Sequence, residues 1–442
     1  MHPESGTASG TSAGTGLDPV PGTSPGEGHP TPEPQGPPAD PKGPAPGVDF
    51  EPPNFAAGVT DYRPVPETRV TLPPAGSSFT DPDFHTKIIR LTNARDLGAS
   101  GCVHSYSTVP AFNVDSSWVL AYCDEPRLFT FDKATDRPTY VGTLTDGQAV
   151  AVNWESAYWS GVSPNILYVL GGTPGTRQTK LYRVDVTRHD ASRFTVVKDF
   201  AGAWGGTWDL WQLSHSDNDE VFTFHARDAG GNYYKTGAYL RSQDRLVTFP
   251  DGNFDVDETY VQKTGRTINV IGKGRDSFVV KVWNPRDNSI VATMTDSATN
   301  KMGGHYDLGA TYMVNGDRYE SGAVVRTWTG LTAPRNVFQY KSSANGDANW
   351  DIADHISMRN ADESFFLMST YGAGDGRPFE REIILVKTNG SGFSRVAHTR
   401  SAGVADSYWS QPRAVIDRRG RYVVFTSDHG TSQNDVYILK LP

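Results

Sequence analysis

One polar or aromatic segment recurs about every fifty residues along most of this chain, a period set by four-stranded β-units rather than by helix pairs. The recurrences are His104-Ser-Tyr106, Asn153-Trp-Glu155, Thr207-Trp-Asp209, Asp257-Glu-Thr-Tyr260, Gly304-His-Tyr-Asp307, Asp354-His-Ile-Ser357 and Trp409-Ser-Gln411. After each comes a turn and an apolar strand, such as Trp118-Val-Leu-Ala-Tyr122, Ile166-Leu-Tyr-Val-Leu170, Phe365-Phe-Leu-Met368 and Tyr422-Val-Val-Phe425. A third strand of alternating character follows, as in Leu181-Tyr-Arg-Val-Asp185 and Ile383-Ile-Leu-Val-Lys387. Seven openings imply an all-β, seven-bladed propeller. The last unit runs through Asp435-Val-Tyr-Ile-Leu439 and is one strand short of a full meander. Lys87-Ile-Ile-Arg-Leu91, ahead of the first opening, is expected to supply the missing strand, which closes the ring and covers the open sheet edge. Two stacked β-domains of three or four repeats are the competing arrangement, but no linker-like stretch interrupts the series.

The reading divides the 442 residues into a Pro/Gly/Ser/Thr-rich tether over 1–60, an extended lead-in over 61–82 and the propeller over 83–442. The first segment has almost no large apolar residue, so it cannot bury enough surface to offset the entropy of ordering. Such tethers join exported domains to an anchor, and a secreted or surface-tethered bacterial protein is expected. The opening Met1-His-Pro-Glu is not a signal peptide, and no segment has the apolar length of a membrane span. A formal net charge of -9 gives no general attraction to nucleic acid. The two cysteines, Cys102 and Cys123, flank a predicted hairpin turn. They are either one disulfide pinning the first blade or two buried thiols. A closed ring offers no sheet edge for pairing, so a monomer is expected.

In a propeller the innermost strands start near the axis, so the seven openings converge on one end of the channel. They are polar for strands so close to a core: His104, Tyr106, Glu155, Asp209, Glu258, Tyr260, His305, Tyr306, Asp307, His355, Arg359, Gln411 and Arg413. Such a ring implies a satisfied network, a water channel or a ligand. Each member also has a structural reading: His104 as a spacer between blades, Arg413 as a salt-bridge partner of Asp307 or Asp354, and Trp154, Trp208 and Trp409 as packing rather than a sugar-stacking platform.

The segment from Gln411-Pro-Arg through Phe425-Thr-Ser-Asp-His429 resembles the closing blade of TolB-like propellers, and especially of the oligogalacturonate lyase family, with the likeness clearest in the last three blades. The resemblance implies β-elimination from a uronic acid, which needs a base, a proton donor and a cation to neutralise the carboxylate. His305 matches the position of the family's catalytic His and is the base candidate; beside it Tyr306 is read as the acid or second base, and Arg413 or Arg359 as the group that binds the uronate carboxylate, with Arg413 standing in for the metal as counter-charge. Substrate contacts are expected from His104, Tyr106, Trp208, Asp307, Arg359, Trp409 and Gln411 at the same openings. The family's divalent metal is held by a His opening the sixth blade with a Gln and two His opening the seventh. His355 matches the first, but Tyr408, Gln411 and Arg413 stand at the seventh opening, so the ligand set is incomplete. The resemblance thus implies an extracellular enzyme acting on an acidic polysaccharide. The alternative is a non-catalytic propeller that binds glycan or a protein partner through the same rim.

Overall fold

The computed structural model describes residues 49–442 except 147, 149, 206–207, 229–231, 273–277, 303–304, 318, 320, 341–352 and 373–375. Of the tether expected over 1–60, residues 1–48 lie outside the described residues. The rest is nearly all β: seven antiparallel sheets make seven blades, with the first strand innermost in blades two to six and Val415–Ile416 innermost in the closing blade. Blades two to six have four strands each, with inner strands Ala151–Trp159, Asp209–His215, Val256–Val261, Tyr306–Leu308 and Ala353–Ser357. Period-two patterning tells each strand which neighbour to face. In blade six, Ile383 and Leu385 pack with Ile416, Val423 and Phe425 of blade seven. The intervening Ile384 and Val386 pack with Val314 and Val325 of blade five.

The predicted closure is present. Lys87–Arg90 pairs antiparallel with Asp435–Lys440, with Ile88 opposite Leu439 and Ile89 opposite Ile438. Ser78–Thr80 adds a fifth strand outside it, which the sequence reading did not anticipate. Asp435 fixes the join, accepting from Arg90 Nη2 at 2.6 Å, Thr92 Oγ1 at 3.0 Å and the Ala94 N–H at 2.8 Å. Blade one has three regular strands, and its inner segment touches them through isolated bridges at Val103 and Phe112. The Cys102–Cys123 disulfide pins the start of that segment.

Described residues ahead of residue 61 pack on the propeller, and Asp49 pairs with Arg419. Phe50 and Phe55 sit against Phe365, and Tyr62 lies between Phe379 and Phe393. Val59 forms a bridge with Arg395 on the outer edge of blade six. Gly58 permits this approach, because a Cβ there would come within 2.2 Å of Ser394 Oγ. Few but large aromatic residues thus hold a segment whose composition otherwise reads as unstructured.

Candidate functional site

The openings meet at one mouth of the channel, where each blade contributes polar or aromatic side chains. Blade five brings His305 and blade six His355, and the two imidazoles stack with centroids 4.1 Å apart. Tyr371 also stacks on His355, at 4.9 Å, and Tyr106 of blade one meets both imidazoles edge-on, at 5.8 and 5.2 Å. His305 Nδ1 donates to the Asp354 carbonyl, which fixes the tautomer and leaves the lone pair on Nε2. Burial lowers the His305 pKa to about 4, with the Arg413 charge acting in the same direction, so the ring is neutral at pH 7. His355 is buried with neither ring nitrogen hydrogen-bonded among the described residues. His104 donates from Nε2 to the Pro412 carbonyl at 3.0 Å, as a spacer would, while its Nδ1 has no partner.

Arg413 is the centre of the other half. Its guanidinium carbon lies 4.3 Å from the ring centroid of Tyr408, 5.7 Å from those of Trp154 and Trp409 and 5.9 Å from that of Tyr106. The side chain is 1% exposed. Its Nη2 donates to the Tyr408 carbonyl at 2.6 Å and to Gln411 Oε1 at 3.4 Å, while Nε and Nη1 have no acceptor among the described residues. Neither acid suggested for it is available: Asp307 holds Arg359, and Asp354 accepts from Tyr340. A buried cation without a carboxylate among the described residues is costly unless something anionic completes it. Its backbone adds to the cost, since Arg413 has φ 42°, matched by Glu155 at 62° and Gln212 at 52° in the same ring.

The ring also carries two carboxyls, of which Glu155 feels the Arg413 charge. Glu155 accepts from Gln212 Nε2 at 3.3 Å, and Glu258 Oε2 accepts from the Tyr260 hydroxyl at 2.6 Å. Burial raises Glu155 to about 7, and burial with the nearby Glu155 charge raises Glu258 to about 8. A carboxyl so shifted keeps its proton when folded but loses it near pH 4.5 when unfolded, so stability falls as pH rises through that window. Glu258→Gln should therefore melt about 5 °C above wild type at pH 8.5, with the gap closing toward pH 4.5, as differential scanning calorimetry would measure.

Some expected contacts lie elsewhere. Arg359 is four residues past His355, about 13 Å further down the channel at strand rise. There it forms a buried ion pair with Asp307 and donates to the Tyr158 hydroxyl at 2.8 Å. Trp208 is 2% exposed, in the core between blades two and three. Tyr306 packs against Tyr260 at 5.5 Å, and its buried hydroxyl has no partner. His305, His355, Tyr106, Arg413, Gln411, Trp154 and Trp409 are brought together. Tyr371, which the reading of inner strands passed over, ends the second strand of blade six and is registered opposite Ala353 at the start of the first. The antiparallel partner's end is the signal that finds it.

Tyr371 and Gln411 line a cleft of about 230 Å³ with Gly372, Ser401, Gly403 and Ser407, which opens the cluster to solvent. The wall is a loop pinned by Asp428, which accepts from the Ala402, Val404 and Ala405 N–H groups. A wider cleft of about 750 Å³ lies among the turns at the opposite mouth. There the cations are matched by acids: Arg418 by Asp217, Arg419 by Asp49 and Lys263 by Glu363.

No protein-family model matches the sequence, and no curated protein matches it. Solved structures share its architecture. An oligogalacturonate lyase in complex with manganese aligns with a TM-score of 0.60 at 14% identity, covering 84% of this chain and 97% of its own. An oligogalacturonate lyase from Vibrio parahaemolyticus gives 0.58 at 14% identity, covering 83% and 96%. The residues here do not fit a divalent metal: among the described residues no three His, Cys, Asp or Glu side chains are grouped to hold one. Beside His355 stands the Arg413 guanidinium, whose charge already disfavours a second cation. In fold the chain is an oligogalacturonate-lyase-like seven-bladed β-propeller.

Proposed function

We propose that the mouth formed by His305, His355, Arg413 and Tyr106 binds a uronate-containing polysaccharide and cleaves it by β-elimination. The observation that carries this reading is the buried Arg413 guanidinium, which keeps two nitrogen donors free and lies among four aromatic rings. A carboxylate accepting from Nη1 supplies the missing counter-charge, and Trp409, 39% exposed, offers a face for the sugar ring. Arg413 thereby does by charge what a metal does by Lewis acidity: it acidifies the C5 proton and stabilises the developing enolate. His305 Nε2 takes that proton. The disulfide and the absence of a membrane-crossing helix among the described residues are compatible with an extracellular setting.

The test is ultraviolet absorbance of the C4=C5 unsaturated product over a panel of acidic polysaccharides. Wild type should give a signal without added metal, and His305→Ala should lower it by about 10²–10⁴-fold. One observation favours a second reading: with its pKa near 4, His305 is a weak base until an anion binds beside it. Saturable glycan binding with a flat absorbance trace across the panel would establish binding without cleavage.

A further inference from the structure

We infer that Glu258 is the proton donor to the leaving glycosidic oxygen, a role that rests on the elimination reading. Arg413 and His305 account for the carboxylate and the C5 proton, but a sugar alkoxide leaves poorly unless it is protonated as it departs. Glu258 stands on the inner strand of blade four, beside the blade that carries His305 and across the ring from Arg413. Its electrostatic neighbours include Tyr106, whose ring touches both imidazoles, so the carboxyl belongs to the same mouth.

Three features fit a donor. Glu258 forms no ion pair among the described residues, so no cation holds it ionised. The Tyr260 hydroxyl is committed to Oε2, which leaves Oε1 to present the proton. The side chain is only partly buried and remains open to the channel, whereas burial holds the Tyr306 hydroxyl well above the usual tyrosine pKa. The groups facing Glu258 are Glu155 from blade two, Tyr106 from blade one, Tyr306 from blade five, and Asp257 and Tyr260 from its own strand. None is cationic, and burial together with the Glu155 charge keeps the carboxyl protonated at neutral pH.

The step balances. The C5 proton passes to His305 Nε2, its electron pair forms the C4=C5 bond, the C4–O bond breaks, and the Glu258 proton makes the departing oxygen a hydroxyl. Solvent then returns a proton to Glu258 and removes one from His305. No oxidant or reductant takes part.

The experiment compares two substrates: an oligouronate, whose leaving group needs protonation, and a uronate bearing 4-nitrophenol at O4, whose leaving group does not. Glu258→Gln should lower the ratio of oligouronate to nitrophenyl rate by about 100-fold. Equal losses on both substrates would overturn the donor role while leaving elimination standing. A wild type that releases neither product would overturn elimination and the inference with it. If calorimetry shows Glu258→Gln unfolded, Tyr260→Phe takes its place, because it frees Oε2 but keeps the carboxyl. It must lower the same ratio at least 5-fold for the inference to stand.

Discussion

Arg413→Ala is expected to weaken binding of oligouronates by about 10²–10³-fold, the usual loss when one partner of a buried charge pair is removed. Isothermal titration calorimetry would read it, with kcat/KM falling in parallel if cleavage occurs. Arg413→Lys should not rescue, because an ammonium cannot present two donors in one plane and fits the four-ring box poorly. Stability should move the other way. The wild-type guanidinium is buried, lacks a carboxylate among the described residues and sits at positive φ. Arg413→Met should therefore melt at the same temperature as wild type or higher in the absence of ligand. A melting temperature that falls by several degrees would mark Arg413 as a structural residue and sink the carboxylate-binding role.

Arg395→Ala should cost about 3–5 kcal/mol, the largest stability loss among simple substitutions. Arg395 and Glu382 form a fully buried ion pair, with Arg395 Nε 2.6 Å from Glu382 Oε2 and Nη2 2.5 Å from Oε1. The same guanidinium donates from Nη1 to the carbonyls of Asp61 and Arg63, at 3.1 and 2.7 Å. Truncation leaves a buried carboxylate and two carbonyls without their donor, so both the blade edge and the strap across it loosen. Chemical denaturation measures the first effect, and limited proteolysis between Phe50 and Arg69 the second. The double variant Arg395→Met with Glu382→Leu should recover most of the loss, because it removes both charges together.

The blade count was legible because the period is carried by many residues at once: seven openings, and runs such as Ile383–Val386 that alternate between two interfaces. The closure was legible for a related reason, since a sheet edge must be covered and Lys87–Arg90 is the segment placed to do so. The fifth strand was not, because Ser78-Phe79-Thr80 is too short to show a pattern. At the mouth, residue types were readable but depth was not. Arg359 and Asp307 look like rim residues until the strand rise is counted. Trp154 and Trp208 look alike in sequence, yet Trp154 meets Trp409 at 5.0 Å at the rim while Trp208 is enclosed. The acidic residues stayed without a role because the shift of Glu155 comes from burial and that of Glu258 from burial together with the Glu155 charge, which appear only once the blades are assembled around the axis.

The pairing of Ile88 with Leu439 also bears on how the molecule is made. The strand at 87–90 leaves the ribosome early, but its partner at 435–440 is the last of the seven blades to be synthesised. Six blades must wait with an open ring, and folding cannot be completed until translation of the final strand ends. Contacts of such long sequence separation form slowly. During that interval the apolar edge of the first-made strand is available to other chains. Ring closure, rather than the folding of any one blade, is therefore the step at which this chain passes from exposed to covered edges.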